Sequence, residues 1–345
     1  MRQKSTQADG GSDSRAVPPP TRRLPSWLKK RLPAGGSLAE TARLVRASGL
    51  TTVCEEARCP NRAECWSRHV VTFMIMGNRC TRRCAFCAVD HGRPEPLDPS
   101  EPHRVADAVA KLGIRHVVVT SVTRDDLPDE GADAFAETVR AVRNRLPDGA
   151  VEVLPPDMHA RVECIDRICA AGPTVYNHNL ETVERLTPQI RPQAEYRRSL
   201  DVLRIVKRRH PHVLTKTGLL VGLGESRSEV ESTLRDARAA GCDIVTIGQY
   251  LQPTPAHWPV ARYWPPEEFD AMREYARGLG FASVLSGPFV RSSYHAAEAA
   301  CIGAREGCPP GDMGIPNTIH VLSSASGPGN PHRIERDRSS GGLTS

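Results

Sequence analysis

Three closely spaced cysteines are the residues with the clearest chemical meaning in this sequence. Cys80, Cys84 and Cys87 follow the pattern C-x3-C-x2-C, so one short loop can supply three thiolates to one metal group. Iron-sulfur clusters are normally held by four cysteines, and a four-iron cluster on three thiolates keeps one iron open to a small molecule. The spacing predicts a [4Fe-4S] cluster that cleaves S-adenosylmethionine (SAM) to generate a radical. The alternative is a zinc knuckle, but structural zinc takes four ligands and usually two C-x2-C pairs.

A second cysteine triad lies upstream of the first. Cys54, Cys59 and Cys65 follow the pattern C-x4-C-x5-C and again need a fourth ligand from elsewhere. Taken alone, this spacing fits a zinc site. Beside a radical cluster, a second [4Fe-4S] cluster is the better interpretation.

The remaining cysteines carry weaker signals. Cys164 and Cys169 lie in a helical pattern and Cys242 follows a helix stop, so we expect all three to be small buried residues. Cys301 and Cys308 flank a glycine-containing stretch near the C-terminus, and nothing around them supplies further metal ligands.

Composition narrows the class of protein. The 345 residues suit one large α/β domain with appendages. The net charge is +6, but arginine is spread along the chain and aromatic residues make up only 5%, which does not favour a nucleic-acid surface. The sequence shows no apolar run of membrane-spanning length and no secretory signal. Eleven cysteines, six of them between positions 54 and 87, favour metal ligation in a reducing compartment, so we expect a cytoplasmic protein without membrane or nucleic-acid partners.

Six short β-rich runs alternate with helical patterns, which predicts parallel strands with crossover helices. The fold class expected is α/β, as a partial (β/α)6 TIM-type barrel with N-terminal and C-terminal extensions. In such barrels the reacting groups lie on loops at the carboxyl ends of the strands. The first cysteine loop follows the first strand directly, so we expect its cluster at the barrel mouth. The predicted strands are 72–77, 116–121, 150–155, 174–180, 217–224 and 244–251.

Four segments are predicted along the chain. Residues 1–20 and 297–345 are rich in glycine, serine, proline or charge and are predicted to be disordered. Residues 21–70 form an N-terminal extension that carries the second triad, and residues 71–296 form the barrel.

Taken together, these motifs resemble those of the lipoyl synthases, which belong to the radical SAM superfamily. The resemblance runs from about residue 22 to residue 296, and the two triads followed by Arg-Ser-Ser-Tyr near the C-terminus make a highly specific combination. The motifs that carry it cover residues 52–61, 63–66, 77–87, 176–182, 222–225, 249–254 and 291–294.

The resemblance implies a function and a fourth ligand for the second cluster. Lipoyl synthases insert two sulfur atoms, at C6 and C8, into a protein-bound octanoyl chain, and they consume two SAM molecules per lipoyl group. Their sulfur comes from the auxiliary cluster, which is sacrificed. A serine of Arg-Ser-Ser-Tyr is its fourth ligand, a role that falls on Ser293 here, with Ser292 as the fallback.

The resemblance also suggests the residues that contact SAM, most of them at strand ends. Glycines in the fifth-strand motif would let the backbone approach the adenine. A polar turn without a ligand is the alternative for Asn177 and Asn179, and loop packing is the alternative for Phe86. Where relatives commonly read Asp-Gly-Gly, this chain has Asp129-Glu130-Gly131, which puts contacts to the SAM amino group in doubt. The predicted contacts are Phe86, Thr120, Ser121, Asn177, Asn179, Glu181, Gly222 and Glu225.

The implied partners are octanoylated lipoyl-carrier domains, such as those of 2-oxo acid dehydrogenase acyltransferase subunits and the glycine cleavage H protein. A low-potential electron donor such as ferredoxin or flavodoxin and an iron-sulfur cluster carrier are also expected. Basic residues at 22–23 and 29–31 are candidates to meet an acidic carrier. Two other classes stay open, a biotin synthase-like radical enzyme and a non-catalytic protein with two zinc knots.

Overall fold

A computed structural model describes residues 24–30 and 36–303 of the chain. Its centre is one sheet of eight strands in sequential order, β1 to β8. Strand β1 pairs antiparallel with β2, and each later neighbouring pair is parallel. The strands are β1 Thr51–Thr52, β2 Thr72–Ile75, β3 His116–Ser121, β4 Ala150–Leu154, β5 Val175–Asn177, β6 Leu214–Val221, β7 Ile244–Gln249 and β8 Ser283–Gly287.

Helices connect and cover the parallel strands, as right-handed β/α units require. Three short 3-10 turns, Ser26–Leu28, Met158–Ala160 and Glu184–Leu186, add to them. The helices are α1 Ser37–Ala47, α2 Val53–Glu56, α3 Arg62–Ser67, α4 Glu101–Leu112, α5 Ala132–Arg145, α6 Val162–Ala170, α7 Thr187–Ile190, α8 Tyr196–Arg209, α9 Arg227–Ala239, α10 Pro266–Gly278 and α11 Ala296–Gly303.

The sheet curls into a partial barrel. Helix α11 contacts β8 and β7 and also β3, a strand far from them in the sheet order, so the sheet must curve around toward itself. Within the described residues no pairing between β8 and the first two strands closes the ring. The partial α/β barrel expected from the sequence is therefore confirmed.

Local sequence explains the boundaries of several elements. Helix α9 begins at a capping box, in which Ser226 Oγ accepts from the Glu229 amide and the Glu229 carboxylate accepts from the Ser226 amide. The chain leaves that helix at Gly241, whose φ of +87° suits glycine. All six predicted strands form, although β5 is shorter and β6 starts earlier than predicted. Strands β1 and β8 were missed.

Apolar and polar faces separate within the barrel. The outer faces of the strands pack against the helices in two apolar clusters, one around β2–β4 and one around β6–β7. The interior instead holds a fully buried ion pair, in which Lys216 Nζ donates to both Glu152 carboxylate oxygens at 2.9 and 3.0 Å. Cys164, Cys169 and Cys242 are buried, as predicted.

Two predictions fall at or beyond the edge of the described residues. The predicted lead at 1–20 and the tail from 304 onward lie outside them, as does Cys308. Residues 297–303, which the sequence assigned to the tail, form the end of α11, where an alanine-rich run favours helix. None of the helices within 24–30 and 36–303 combines the length and apolar character that a bilayer crossing requires.

Candidate active site

The first cysteine loop leaves β2 at the carboxyl edge of the sheet and is held by backbone hydrogen bonds. The Thr81 amide donates to the Thr123 carbonyl at 3.1 Å, just beyond β3. The Ala85 amide donates to the Ile190 carbonyl at 2.8 Å, and the Ala85 carbonyl accepts from the Trp258 amide at 2.9 Å. Loops from opposite sides of the barrel therefore fix this loop at the mouth, where the sequence predicted it.

Arg82, inside the loop, ties it to two further strands. Its buried guanidinium donates to Asp125 at 2.7 Å and to Asp157 at 2.8 Å, beyond β3 and β4 respectively. Burial alone would raise the pKa of Asp157, but the hydrogen bond and charge of Arg82 hold it well below its ordinary value. The sequence alone suggests no role for Arg82, because an arginine between cysteines has no local signature for a buried ion pair.

The thiols of this loop form an electrostatically coupled group. Burial, followed by the charges of Cys84 and Cys80, raises the pKa of Cys87 to about 12. Two backbone amides, of Arg82 and Thr123, point at Cys80 Sγ from 3.4 and 3.3 Å. Three neighbouring thiolates repel one another. A metal cation bound among them cancels this repulsion and stabilises the deprotonated thiols. The donor set fits an iron-sulfur cluster.

The second triad is assembled by the two short helices before the barrel. Cys54 is on α2, Cys65 is on α3, and Cys59 lies in the turn between them, where its amide donates to the Cys54 carbonyl at 3.1 Å. Burial, followed by the charges of Cys59 and Cys54, raises the pKa of Cys65 to about 12. These three thiols also share one site.

The Arg-Ser-Ser-Tyr segment docks on the helix that bears Cys65. Tyr294, next to Ser293, donates its hydroxyl to Glu64 at 2.8 Å, and Glu64 is next to Cys65. Asn61 donates its side-chain amide to the Phe289 carbonyl at 2.7 Å. The C-terminal segment therefore packs on the helix that bears Cys65 of the second triad, although the segment and that triad lie more than two hundred positions apart in the chain. We call the second triad the auxiliary triad and the first the radical triad.

Lys30 completes this contact, which we call the clasp (Lys30, Asn61, Glu64, Phe289 and Tyr294). Its ammonium donates to Asn61 Oδ1 at 2.7 Å and Glu64 Oε2 at 2.6 Å, and lies 4.4 Å from the centre of the Phe289 ring. Lys30 is therefore engaged within the protein while still exposed to solvent, and its part in a basic docking surface stays a prediction. Lys29 is exposed, and the other basic residues of that surface lie outside the described residues.

Three of the predicted SAM contacts keep buried polar atoms without partners among the described residues. These atoms are Ser121 Oγ, Asn177 Oδ1 and Asn179 Oδ1. A buried polar atom without a hydrogen bond costs roughly 1–3 kcal/mol. Unpaired groups at the carboxyl ends of β3 and β5, beside the cysteine loop, fit a ligand that brings its own donors and acceptors. The amide nitrogen of Asn177 is committed to Glu152 at 3.0 Å.

The other predicted SAM contacts have partners within the protein. Thr120 donates to the Leu154 carbonyl at 2.8 Å. The Glu225 carboxylate accepts from the Gly222 and Leu223 amides at 2.6 and 2.8 Å, which braces the loop after β6. Phe86 packs against the apolar cluster around β6 and β7. A contact with SAM stays a prediction for each of them.

Gly222 has a structural reason that does not involve adenine. Its φ is +94°, and a Cβ there would lie 2.2 Å from Gln249 Nε2 and 2.5 Å from the Arg262 carbonyl oxygen. The close approach of neighbouring protein atoms already requires glycine, so this residue alone gives no support to an adenine contact.

Two partly buried charged residues, Glu181 and Arg291, act electrostatically on the thiols of the triads or respond to them. The charge of Glu181 helps to raise the pKa of Cys84 and Cys87, after burial as the main cause. Burial lowers the pKa of Arg291, while the charges of Cys59 and Glu181 oppose that change. The charges of Cys59 and Glu181 therefore act on Arg291, whose guanidinium also donates to the Val290 carbonyl at 2.7 Å. The sequence alone suggests no role for Arg291, although it is the first residue of the Arg-Ser-Ser-Tyr motif.

Glu130, the departure from the family pattern, is buried and turned toward a neighbouring loop. Its φ is +54°, which is unfavourable for a residue with a side chain. Its carboxylate lies 2.9 Å from His159 Nδ1 and 3.7 Å from an Arg161 nitrogen. The loop after β3 is thus tied to the loop after β4 by a contact that glycine at this position lacks.

Comparison with known proteins identifies the class of enzyme and then the family. Residues 74–237 match the family model of the radical SAM superfamily, and residues 2–59 match the N-terminal domain of lipoyl synthase of the radical SAM family. With the α/β barrel and its cysteine loop, these matches define a radical SAM enzyme. Similarity to two lipoyl synthases is more specific, and it shows that the chain belongs to the lipoyl synthase family.

The lipoyl synthase of Rubrobacter xylanophilus is 56% identical over 274 residues, which cover 79% of this chain and 85% of the relative. That of Methylococcus capsulatus is 53% identical over 284 residues, covering 82% and 88%. Among solved structures, methylornithine synthase is similar at 16% identity and a TM-score of 0.49, over 61% of this chain and 69% of that one. The family assignment rests on the lipoyl synthases.

Proposed function

We propose that this chain is a sulfurtransferase that inserts two sulfur atoms, at C6 and C8, into an octanoyl group on a lysine of a lipoyl-carrier domain. The observation that carries this proposal is the presence of two separate thiol triads, one in the loop after β2 and one on α2 and α3, with the Arg-Ser-Ser-Tyr segment docked on α3 through Tyr294. One triad suits radical generation and the other suits sulfur storage. A biotin synthase-like enzyme is disfavoured, because the second triad precedes the barrel.

Each triad would hold one [4Fe-4S] cluster. The residues of the first are Cys80, Cys84 and Cys87, and those of the second are Cys54, Cys59, Cys65 and Ser293. When bound, the first cluster supplies the electron that cleaves SAM, and the second supplies sulfur. The serine oxygen is a harder ligand for iron than thiolate, which suits an iron that must be released.

The remaining residues would bind and orient SAM and the acyl chain. Ser121, Asn177 and Asn179 offer unpaired polar atoms for the SAM ribose or methionine groups. Two C–H bonds must be broken for each lipoyl group, so two SAM molecules are required.

The partners follow from this chemistry. The substrate is carried by the lipoyl-carrier domains of 2-oxo acid dehydrogenases or of the glycine cleavage system. A low-potential donor such as ferredoxin or flavodoxin would supply electrons, and a cluster carrier would restore the auxiliary site. Free thiols at nine described cysteines suit a reducing, cytoplasmic location.

Turnover with a defined substrate tests the proposal. Reconstituted protein is incubated anaerobically with SAM, a reductant and an octanoyl-lysine peptide, and the peptide is analysed by mass spectrometry. A dithiolane product with two deoxyadenosines per lipoyl group is expected. Deoxyadenosine with an unmodified peptide would contradict the proposed substrate, and zinc with no SAM cleavage would contradict radical chemistry altogether.

A further inference from the structure

The two serines of the Arg-Ser-Ser-Tyr motif have different surroundings. Ser292 Oγ accepts a hydrogen bond from Asn179 Nδ2 at 2.6 Å. A Cβ on Gly218 of strand β6 would lie 3.1 Å from the same oxygen. Ser292 is therefore directed at the barrel strands, whereas Tyr294, on the other side of Ser293, contacts the auxiliary helix through Glu64.

We propose that Ser292 is a positioning residue that joins the C-terminal segment to the loop after β5, and that it is not an iron ligand. The inference rests on the proposed function, in which Asn179 contacts SAM and Ser293 binds the auxiliary cluster. Through Ser292, the segment that carries the auxiliary ligand also orients a residue of the SAM site.

The hydrogen bonds of Asn179 fix the orientation of its side-chain amide. Its amide nitrogen donates to Glu181 Oε1 at 2.9 Å and to Ser292 Oγ at 2.6 Å, which uses both N–H groups. A carboxylate only accepts, so the nitrogen and not the oxygen of this amide must face Glu181. Asn179 Oδ1 is consequently fixed as a buried acceptor without a partner among the described residues. Ser292 thus helps to aim an acceptor at the ligand.

Two glycines make room for this arrangement. A Cβ on Gly248 in β7 would lie 2.0 Å from the Val290 carbonyl oxygen, and one on Gly218 would lie 2.8 Å from Asn179 Oδ1. Neither distance is tolerated by real side chains, so the segment enters the barrel where the strands lack side chains. The entry of the C-terminal segment therefore depends on strands β6 and β7 as well as on the loop after β5.

The paired serines provide a matched test in the full-length chain. Wild type, Ser292→Ala, Ser292→Thr and Ser293→Ala are reconstituted anaerobically and compared by iron and sulfide content and by the KM for SAM in deoxyadenosine formation. Loss of one hydrogen bond should raise the KM of Ser292→Ala by about threefold to tenfold with full iron content. Ser292→Thr keeps the hydroxyl and should restore the KM. Ser293→Ala, which removes the proposed iron ligand, should lose iron.

Hydrogen exchange of the cluster-free chain provides a readout independent of turnover. Peptides covering residues 177–182 should exchange faster in Ser292→Ala than in wild type or Ser293→Ala. Unchanged exchange, an unchanged KM, or loss of iron in Ser292→Ala equal to that in Ser293→Ala would each overturn the inference. Failure of the wild type to modify the peptide would instead contradict the proposed function, and the exchange result would still decide the role of Ser292.

Discussion

The two cysteine triads are built in different ways. Cys80, Cys84 and Cys87 lie in one loop, and that loop is anchored by backbone hydrogen bonds and by the buried Arg82 to the barrel. The auxiliary triad lies on two short helices outside the barrel, and the clasp joins it to the C-terminal segment largely through side chains. The first site is held by main-chain hydrogen bonds together with the buried Arg82. The second depends on contacts that single side chains provide, and under the proposed function it is the site that gives up sulfur.

Two cysteine substitutions test this comparison with the largest expected effects. Cys84→Ala removes a ligand of the radical triad and should reduce deoxyadenosine formation to background. Cys59→Ala leaves that triad complete, so it should keep deoxyadenosine formation and lose sulfur insertion. Both products are measured by mass spectrometry under anaerobic conditions. Circular dichroism verifies folding, and equal loss of both products in two folded variants would contradict the division of labour.

Substitution of Lys216 tests whether the buried Lys216–Glu152 pair stabilises the barrel that carries the radical triad. Lys216→Met leaves Glu152 as a buried charge without its counter-ion, which should lower the free energy of unfolding by roughly 3–5 kcal/mol. Chemical denaturation measures the change. Arg227→Met, which breaks the exposed Arg227–Glu231 pair, is the control and should change it by less than about 1 kcal/mol. Similar effects of the two substitutions would show that the buried pair is not a structural support.

His178 should make the barrel sensitive to acid. Burial, assisted by the charge of Arg191, lowers its pKa from 6.5 to about 4, so the folded state disfavours the protonated form. Between these values the unfolded chain binds the proton and the folded chain does not, so stability falls as the pH falls. The expected loss between about pH 7 and about pH 5 is roughly 2 kcal/mol. Denaturation of His178→Asn at both pH values should show a smaller loss, and an equal loss would contradict the assignment.

Tyr294→Phe tests the clasp with a smaller change. It removes one hydrogen bond to Glu64, which should lower the free energy of unfolding by about 1 kcal/mol and reduce sulfur insertion more than deoxyadenosine formation. Tyr275→Phe, at an exposed hydroxyl that accepts from Arg235, is the matched control for both measurements. A uniform reduction of both products in Tyr294→Phe would mean that the clasp does not act on the auxiliary site.

Glu130→Gly should have the smallest effect. Glycine relieves an unfavourable φ of +54°, worth roughly 1–2 kcal/mol, but loses the contact with His159, so the changes in stability partly cancel. Turnover should change only modestly. A rise from no activity to full activity in the same peptide assay would show that Glu130 impairs the natural chain.

The local character of the radical triad and the tertiary character of the auxiliary site determine what the sequence could predict. The radical triad was found from its spacing because its ligands are local, and the six predicted strands were found because runs such as His116–Ser121 are β-branched and buried. Strand β1 has only two residues, and β8 begins with Ser283 and ends with Gly287, so neither gives a clear pattern. The approach of Tyr294 to Glu64 depends on tertiary contacts. Only the family resemblance suggested that the C-terminal motif serves the auxiliary site.

The origin of the inserted sulfur is the most direct test of the central claim that the second triad stores sulfur. The wild-type chain is reconstituted with isotopically heavy sulfide, desalted, and allowed one turnover on the octanoyl-lysine peptide in the presence of ordinary sulfide. We expect heavy sulfur at both positions of the product and no sulfurated product from Cys59→Ala treated in the same way. Ordinary sulfur in the wild-type product, or normal product from Cys59→Ala, would contradict the account.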